Sequence, residues 1–185
     1  MPSFDRPADT EIPPSPWVLR FAAMIPPEGV VLDVAAGHGR HTRALKILGF
    51  KIVAADVDVS GLADLADDPM IDVQKVDLET GSWPFAANAF DGIIVTNYLH
   101  RPHFDRYVDA LAPEGVLIIE TFGQGNEHLG RPRNPDFLLK PDELFTAFKD
   151  TLHVIAYEHG AEHDPRPAVR QRLCAVKAAP PVLLP

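Results

Sequence analysis

The sequence predicts an α/β fold, a largely parallel and doubly wound sheet with helices on both faces, and three observations carry that reading. Short apolar, β-branched runs alternate with segments of helical period between residues 30 and 121, the alternation that right-handed crossovers between parallel strands produce. A glycine-bearing turn, AAGHG, follows the first of those runs directly. Proline is segregated: of 19 prolines, seven fall in residues 1–27 and eight in residues 132–185, leaving four in the 104 residues between. Each proline removes a backbone donor. The excess therefore belongs to the flanks, and Pro69, Pro84, Pro102 and Pro113 punctuate the middle.

Taken in order, residues 30–34 (VVLDV) form a strand buried on both faces. Residues 40–49 (RHTRALKILG) form a helix, with Ala44, Ile47 and Leu48 at helical spacing and Gly49 as its stop. KIVAAD (51–56) is a second buried strand, SGLADLA (60–66) a short helix closed by Asp67, Asp68 and Pro69, and residues 71–76 a third strand. AFDGIIVTN (89–97) is the fourth. A helix that Pro102 opens carries Phe104, Tyr107, Val108 and Leu111 on one stripe, Pro113, Glu114 and Gly115 end it, and VLIIET (116–121) is the fifth strand. Beyond it the pattern changes to a long loop, residues 122–140. A helix then starts at Pro141, Asp142 and Glu143, with Leu144, Phe145 and Phe148 on its apolar face. Residues 152–157 and 172–176 read as two strands with a polar, proline-bearing connection too short for a helix, so they pair antiparallel. Near the N-terminus, PSPWVLRFAAMI reads as a short amphipathic helix. Trp17 and Phe21 then either pack against the sheet or cover a bound ligand.

Composition bounds the partners. With 46% hydrophobic and 23% charged residues in 185, the chain is of ordinary globular make-up and long enough for one domain with a core that needs no staples. We expect that domain to comprise a proline-rich segment (1–27), a ligand-binding core (28–121) and a region that receives a second substrate (122–185). Cys174 is the single cysteine and gives no sign of an oxidising compartment. Residues 28–121 hold 15 acidic and 7 basic side chains, a balance that repels phosphate backbones and disfavours nucleic acid. There is no apolar run of membrane-spanning length and no basic, apolar leader in MPSFDRPADTEIPPSP. A cytoplasmic protein with no membrane partner is expected.

In open α/β sheets ligands bind at the carboxyl ends of the strands. After the first strand, Gly37 and Gly39 permit a sharp turn and a close approach, and the next helix offers unpaired N–H groups. Asp56 ends the second strand, 19 residues beyond Gly37, where a carboxylate can accept from a ribose diol. Asp77 follows the third strand, placed to accept from an exocyclic amine. Asp33 lies within a hydrophobic strand, where an unpaired carboxylate is costly. Each has a plainer alternative: a tight crossover for the glycines, a cap for Asp56, a self-bonded turn for Asp77. Together they describe a nucleoside lying across three strand tips.

LDVAAGHGRHT resembles the glycine-rich motif of class I S-adenosylmethionine-dependent methyltransferases, and the likeness extends through AFDGIIV and LAPEGVLII, about residues 30–121. The resemblance implies a Rossmann-like, seven-stranded, mostly parallel sheet of order 3-2-1-4-5-7-6, with strand 7 antiparallel. It also implies S-adenosyl-L-methionine as cofactor. Asp33 and the backbone from Ala35 through Gly37 to Gly39 would stand at the methionine end, Asp56 at the ribose hydroxyls and Asp77 with Leu78 at the adenine, with Arg40, Val57 and Asn97 also among the cofactor-binding residues. Ala35 stands where the full motif has glycine and is tolerated there if its φ is negative. GRHTRALKILGFKIVAADVD and PDFLLKPDELFTAF are similar to small bacterial methyltransferases of the tellurite-resistance type.

A sulfonium is already an activated donor, so methyl transfer asks mainly for alignment, exclusion of water and, for some acceptors, loss of a proton. The segment NYLHRPH supplies the candidates: Asn97 to align a polar acceptor, Tyr98 to wall the site and His100 as base or as a hydrogen-bonded spacer. Arg101 either caps a carbonyl or pairs with Asp105. In the long loop, Arg131 and Arg133 are placed to meet an anionic small-molecule acceptor. No metal is expected: HGAEH (159–163) has inverted-zincin letters but not a helical context, and His100 and His103 lack further ligands. Two other functions stay open, an NAD-dependent oxidoreductase, against which Thr42 stands at the third glycine position, and a non-catalytic module that binds the cofactor.

Overall fold

The computed structural model describes residues 12–164 and 166–185. The first eleven residues of the proline-rich N-terminal segment lie outside it. Helix α1 (Pro16–Ala22) precedes strand β1 (Val30–Val34), helix α2 (Arg40–Ile47), β2 (Lys51–Asp56), β3 (Ile71–Lys75), β4 (Phe90–Thr96), α3 (Phe104–Ala110), β5 (Leu111–Phe122), α4 (Glu143–Phe148), β6 (His153–Glu162) and β7 (Ala168–Val176). The strands form one sheet of order β3-β2-β1-β4-β5-β7-β6. Strands β1 to β5 pair in parallel, and β7 runs antiparallel to both β5 and β6. This is the sheet expected from the sequence.

Each face of the sheet has its own apolar layer. Val31, Ile52, Ile94 and Ile118 join Trp17 and Phe21 of α1 and Leu45 of α2 on one side. Leu32, Ile93 and Leu117 join Tyr107 of α3 and Phe148 of α4 on the other. Neighbouring residues of one strand thus feed opposite layers, which is why these strands are apolar throughout rather than alternating. Trp17 and Phe21 are core residues: both are buried, and the Trp17 indole N–H donates to the Leu173 carbonyl at 3.3 Å.

Three boundaries differ from expectation. Residues 60–65 form a 3-10 helix. Helix α3 stops at Ala110, and β5 begins at Leu111, with Phe90 opposite Leu111 but Gly92 opposite Val116. Pro113 and Glu114 therefore lie in a bulge within the strand, where Glu114 takes φ +66° and donates its N–H to the Lys177 carbonyl. A proline costs no ladder bond in such a bulge. The terminal hairpin is the third: β6 extends to Glu162 and β7 begins at Ala168, so HGAEH lies mostly on an extended strand. Its charged residues answer each other across the hairpin, Arg172 to Glu158 and to Glu162, and Arg170 to Glu162. A charged row satisfied by cross-strand pairs looks like a loop in sequence.

Candidate functional site

The carboxyl ends of β3, β2, β1 and β4 stand side by side, and the predicted residues gather there. The β1–α2 turn is built from left-handed residues: Gly37 has φ +57°, Gly39 +74° and Ala35 +54°. The two glycines behave as expected, and at Gly39 a Cβ would stand 2.5 Å from a Leu62 methyl. Ala35 does not have the negative φ on which its tolerance was premised. An L-residue in that region costs about 1–2 kcal/mol. Ala35→Gly is accordingly expected to stabilise the chain by about 0.5–1 kcal/mol once the extra freedom of glycine in the unfolded state is subtracted, read as a rise in the urea midpoint with an unchanged m-value.

Two carboxylates hold this turn. Asp33, 2% exposed, accepts from the Thr42 hydroxyl at 2.6 Å, and burial, partly offset by the Thr42 hydrogen bonds, pushes its pKa up to about 6. Thr42 is itself fully buried. Asp56 reaches back from β2: one oxygen accepts from Gly37 N–H at 2.8 Å and the other from Asp58 N–H at 2.9 Å. It therefore braces the glycine turn and its own tip together. Val57 beside it is exposed. The Arg40 guanidinium donates to the Pro13 carbonyl at 3.2 Å, tying the head of α2 to the segment before α1.

At the β3 tip the plainer reading of Asp77 describes its carboxylate, which accepts from the N–H groups of Glu79 and Thr80 and from the Thr80 hydroxyl. Those bonds, the hydroxyl first, hold it below the usual carboxylate range. Leu78 is buried, and its carbonyl accepts from His103 Nε2 at 2.7 Å. Burial lowers the pKa of His103. The His100 ring lies 4.4 Å from that of His103, so the candidate base stands toward the β3 side of the site. Tyr98 is half-buried, and its hydroxyl, shielded from solvent, has no hydrogen-bond partner among the described residues. Burial, with Glu79, Asp77 and Asp56 nearby, raises its pKa. Arg101 pairs with Glu143 rather than with Asp105, and it caps the carbonyls of Asp136 and Leu138 at 2.8 and 2.9 Å. It clasps the end of the long loop to the β4 tip.

On the other flank lies a polar network that sequence reasoning missed. Glu120, near the end of β5 and 5% exposed, accepts from the Ser15 hydroxyl at 2.7 Å and from Arg172 at 2.8 Å, and lies 3.7 Å from Arg170. The Ser15 N–H donates to His41 Nε2 at 3.1 Å, and His41 Nδ1 meets the Thr96 hydroxyl at 3.2 Å. Burial pushes the His41 pKa down to about 4, so the ring is neutral and its proton sits on Nδ1, facing Thr96. Asn97, exposed and with φ +54°, donates its N–H to the Glu120 carbonyl at 2.9 Å. An acid inside VLIIET is as conspicuous in sequence as Asp33, and the cost of burying it was the available signal.

Arg131 and Arg133 are exposed on the long loop. That loop is held by 3-10 turns at Asn126–His128 and Pro135–Phe137 and by buried Asn126, whose amide bonds Pro132 and Val169. Among the described residues, no group of three or more His, Cys, Asp or Glu is arranged to hold a metal ion, and no helix is long and apolar enough to cross a membrane.

Comparison with known proteins agrees with this layout. A family model described as a methyltransferase domain matches residues 31–115. No curated protein matches the sequence. Among solved structures, an S-adenosylmethionine-dependent methyltransferase from Aquifex aeolicus is 20% identical with a TM-score of 0.68, covering 94% of each chain. TehB from Haemophilus influenzae is 19% identical with a TM-score of 0.70, over 86% of this chain and 61% of its own. The 1,6-didemethyltoxoflavin-N1-methyltransferase from Burkholderia thailandensis, solved with 1,6-didemethyltoxoflavin and S-adenosylhomocysteine, is 18% identical with a TM-score of 0.67, over 88% and 76%. At these identities the likeness is one of fold.

Proposed function

We propose that the chain is an S-adenosylmethionine-dependent methyltransferase that alkylates a small molecule. The observation that carries this is the turn after β1: three left-handed residues braced by Asp33 from below and by Asp56 from the next strand, inside the segment that matches the methyltransferase-domain model. The donor set fits the cofactor. Each Asp56 oxygen accepts one N–H and keeps a lone pair for a ribose hydroxyl. Asp33 and Arg40 with the Ala35–Gly39 backbone take the methionine end, and Val57 flanks the ribose. Leu78 edges the adenine pocket, with Asp77 acting through the turn it ties. The cofactor supplies an electrophilic methyl group. The protein aligns the acceptor through Asn97, excludes water with Tyr98 and, for acceptors that carry a proton, removes it with His100.

The packing of Thr42 weighs against an NAD-dependent oxidoreductase. The third glycine of a dinucleotide turn allows helix and strand to approach closely, whereas here a threonine fills that space and gives Asp33 its partner. Mass spectrometry of small molecules retained through purification tests the proposal: S-adenosylmethionine or S-adenosylhomocysteine is expected, and a nicotinamide dinucleotide instead would defeat it. On the acceptor side, replacing both Arg131 and Arg133 with glutamine is expected to raise KM for an anionic acceptor by about tenfold or more. A concurrent loss of S-adenosylhomocysteine affinity would remove them from the acceptor side.

A further inference from the structure

We infer that Asn97 recognises an oxygen lone pair on the methyl acceptor, and that Arg170 is the positioning residue that commits it to that choice. This rests on the proposed reading of the β4 tip as the place where donor and acceptor meet. A free carboxamide is ambivalent, since a half-turn about its last bond exchanges an acceptor for a donor. At Asn97 that freedom is gone. Arg170 Nη1 stands 2.8 Å from the amide, and a guanidinium only donates, so the atom facing it is Oδ1.

Arg170 cannot follow a turning amide. Its Nε donates to Glu162 at 2.5 Å, Glu120 lies 3.7 Å away, its guanidinium covers the Phe122 ring at 4.3 Å, and its side chain is 15% exposed. The Asn97 backbone is held as well, by its bond to the Glu120 carbonyl and its left-handed φ. Oδ1 therefore stays turned toward Arg170, which takes one of its two lone pairs, while Nδ2 carries two hydrogens and bonds nothing among the described residues. What Asn97 turns away from Arg170, toward a ligand, is its pair of donors. A primary amine commits its one lone pair to the methyl carbon, or to a third proton as the ammonium, so toward Asn97 it presents N–H groups alone and is rejected, because an unmatched polar group costs more than a matched one returns. A carbonyl, carboxylate or phenolate oxygen beside the methyl-accepting atom is matched. The charges around the site, Glu120, Glu158 and Glu162 against Arg170 and Arg172, largely cancel, so hydrogen-bond polarity rather than net field makes the selection.

The test uses the full chain, isotopically labelled with nitrogen-15 and saturated with S-adenosylhomocysteine, with the Asn97 Nδ2 proton pair assigned by its disappearance in Asn97→Asp. Benzoate, acetophenone and benzylamine are the probes, the neutral ketone separating hydrogen bonding from charge. Benzoate and acetophenone are expected to shift the Asn97 pair and benzylamine to leave it. Asn97→Asp, which keeps an acceptor for Arg170 and turns the outward N–H into an oxygen, weakens acetophenone by about tenfold. Arg170→Met, which frees the amide to turn, erases the preference between ketone and amine, and Arg170→Lys restores part of it. The inference is overturned if benzylamine moves the pair as much as acetophenone does, or if none of the probes moves it. It is also overturned if S-adenosylhomocysteine alone moves the pair and the probes add nothing, which would assign the lone pair to the donor's own carboxylate. Failure of S-adenosylhomocysteine to bind at all defeats the methyltransferase reading itself, whereas the other adverse outcomes leave that reading standing.

Discussion

Glu120→Ala is expected to lower the stability of the chain by about 3–5 kcal/mol, the usual cost of removing one partner from a buried ion pair. In a protein of this length that is a fall in Tm of roughly 10 °C. Among the described residues Glu120 is the one acid that meets Ser15, Arg172 and Arg170 alike, so its loss releases the segment before α1 from the sheet and leaves the two guanidinium groups to Glu158 and Glu162. The pH dependence follows from its titration. Burial pushes the Glu120 carboxyl up, but Arg172 and the Ser15 hydroxyl pull it further down, so in the folded state it lies below its ordinary 4.5. A depressed carboxylate contributes stability that is present above the unfolded pKa and is lost as pH falls through the folded one. The gap in Tm between Glu120→Ala and the parent should therefore be full at neutral pH and narrow below about 4.5, which thermal melts across that range will show. Asp33 has the opposite sign: with its pKa raised to about 6, its cost appears as pH rises from about 4 to 6.

Asp56→Ala should weaken S-adenosylhomocysteine binding by about a hundredfold. Two ribose hydroxyls each lose a charged acceptor worth about 1.5–3 kcal/mol, and part of that is recovered from water. A further loss comes from the turn, because Gly37 N–H and Asp58 N–H lose the oxygens that fix them. Asp56→Asn retains one of those acceptors and is expected to fall between the two. Titration calorimetry at fixed pH gives the ratio directly, and equal affinities for the parent and Asp56→Ala would place the ribose elsewhere.

The half of the molecule from β1 to β4 was legible because its signals are local. A buried parallel strand is apolar from end to end, its turn carries glycine, and the acid that matters stands at the tip. The other half hid its structure in long-range pairing. Glu158 and Glu162 stand in the polar, glycine-bearing run EHGAE and Arg170 beside Gln171, and they are satisfied by pairing across the hairpin, so the stretch between the two expected strands reads as loop. Ser15 and Glu120 are 105 residues apart, and Arg172 and Glu120 are 52. Nothing near any of the three announces the others. Pro113 misplaced the start of β5 because a bulge satisfies the ladder around it. At Ala35 the residue type argued for an ordinary φ, and the demands of the turn prevailed. Of the candidate residues, Asp33, Ala35, Gly37, Gly39 and Asp56 come together around one turn. Asp77 is held by the backbone of its own turn, and the His100 ring lies 4.4 Å from that of His103.

The central claim is that the tips of β1 and β2 bind an adenosyl methyl donor. Calorimetric titration of the full chain with S-adenosylhomocysteine, and separately with NAD, tests it most directly. The expected result is saturable one-to-one binding of S-adenosylhomocysteine with no heat from NAD. Saturable binding of NAD with none of S-adenosylhomocysteine would contradict it.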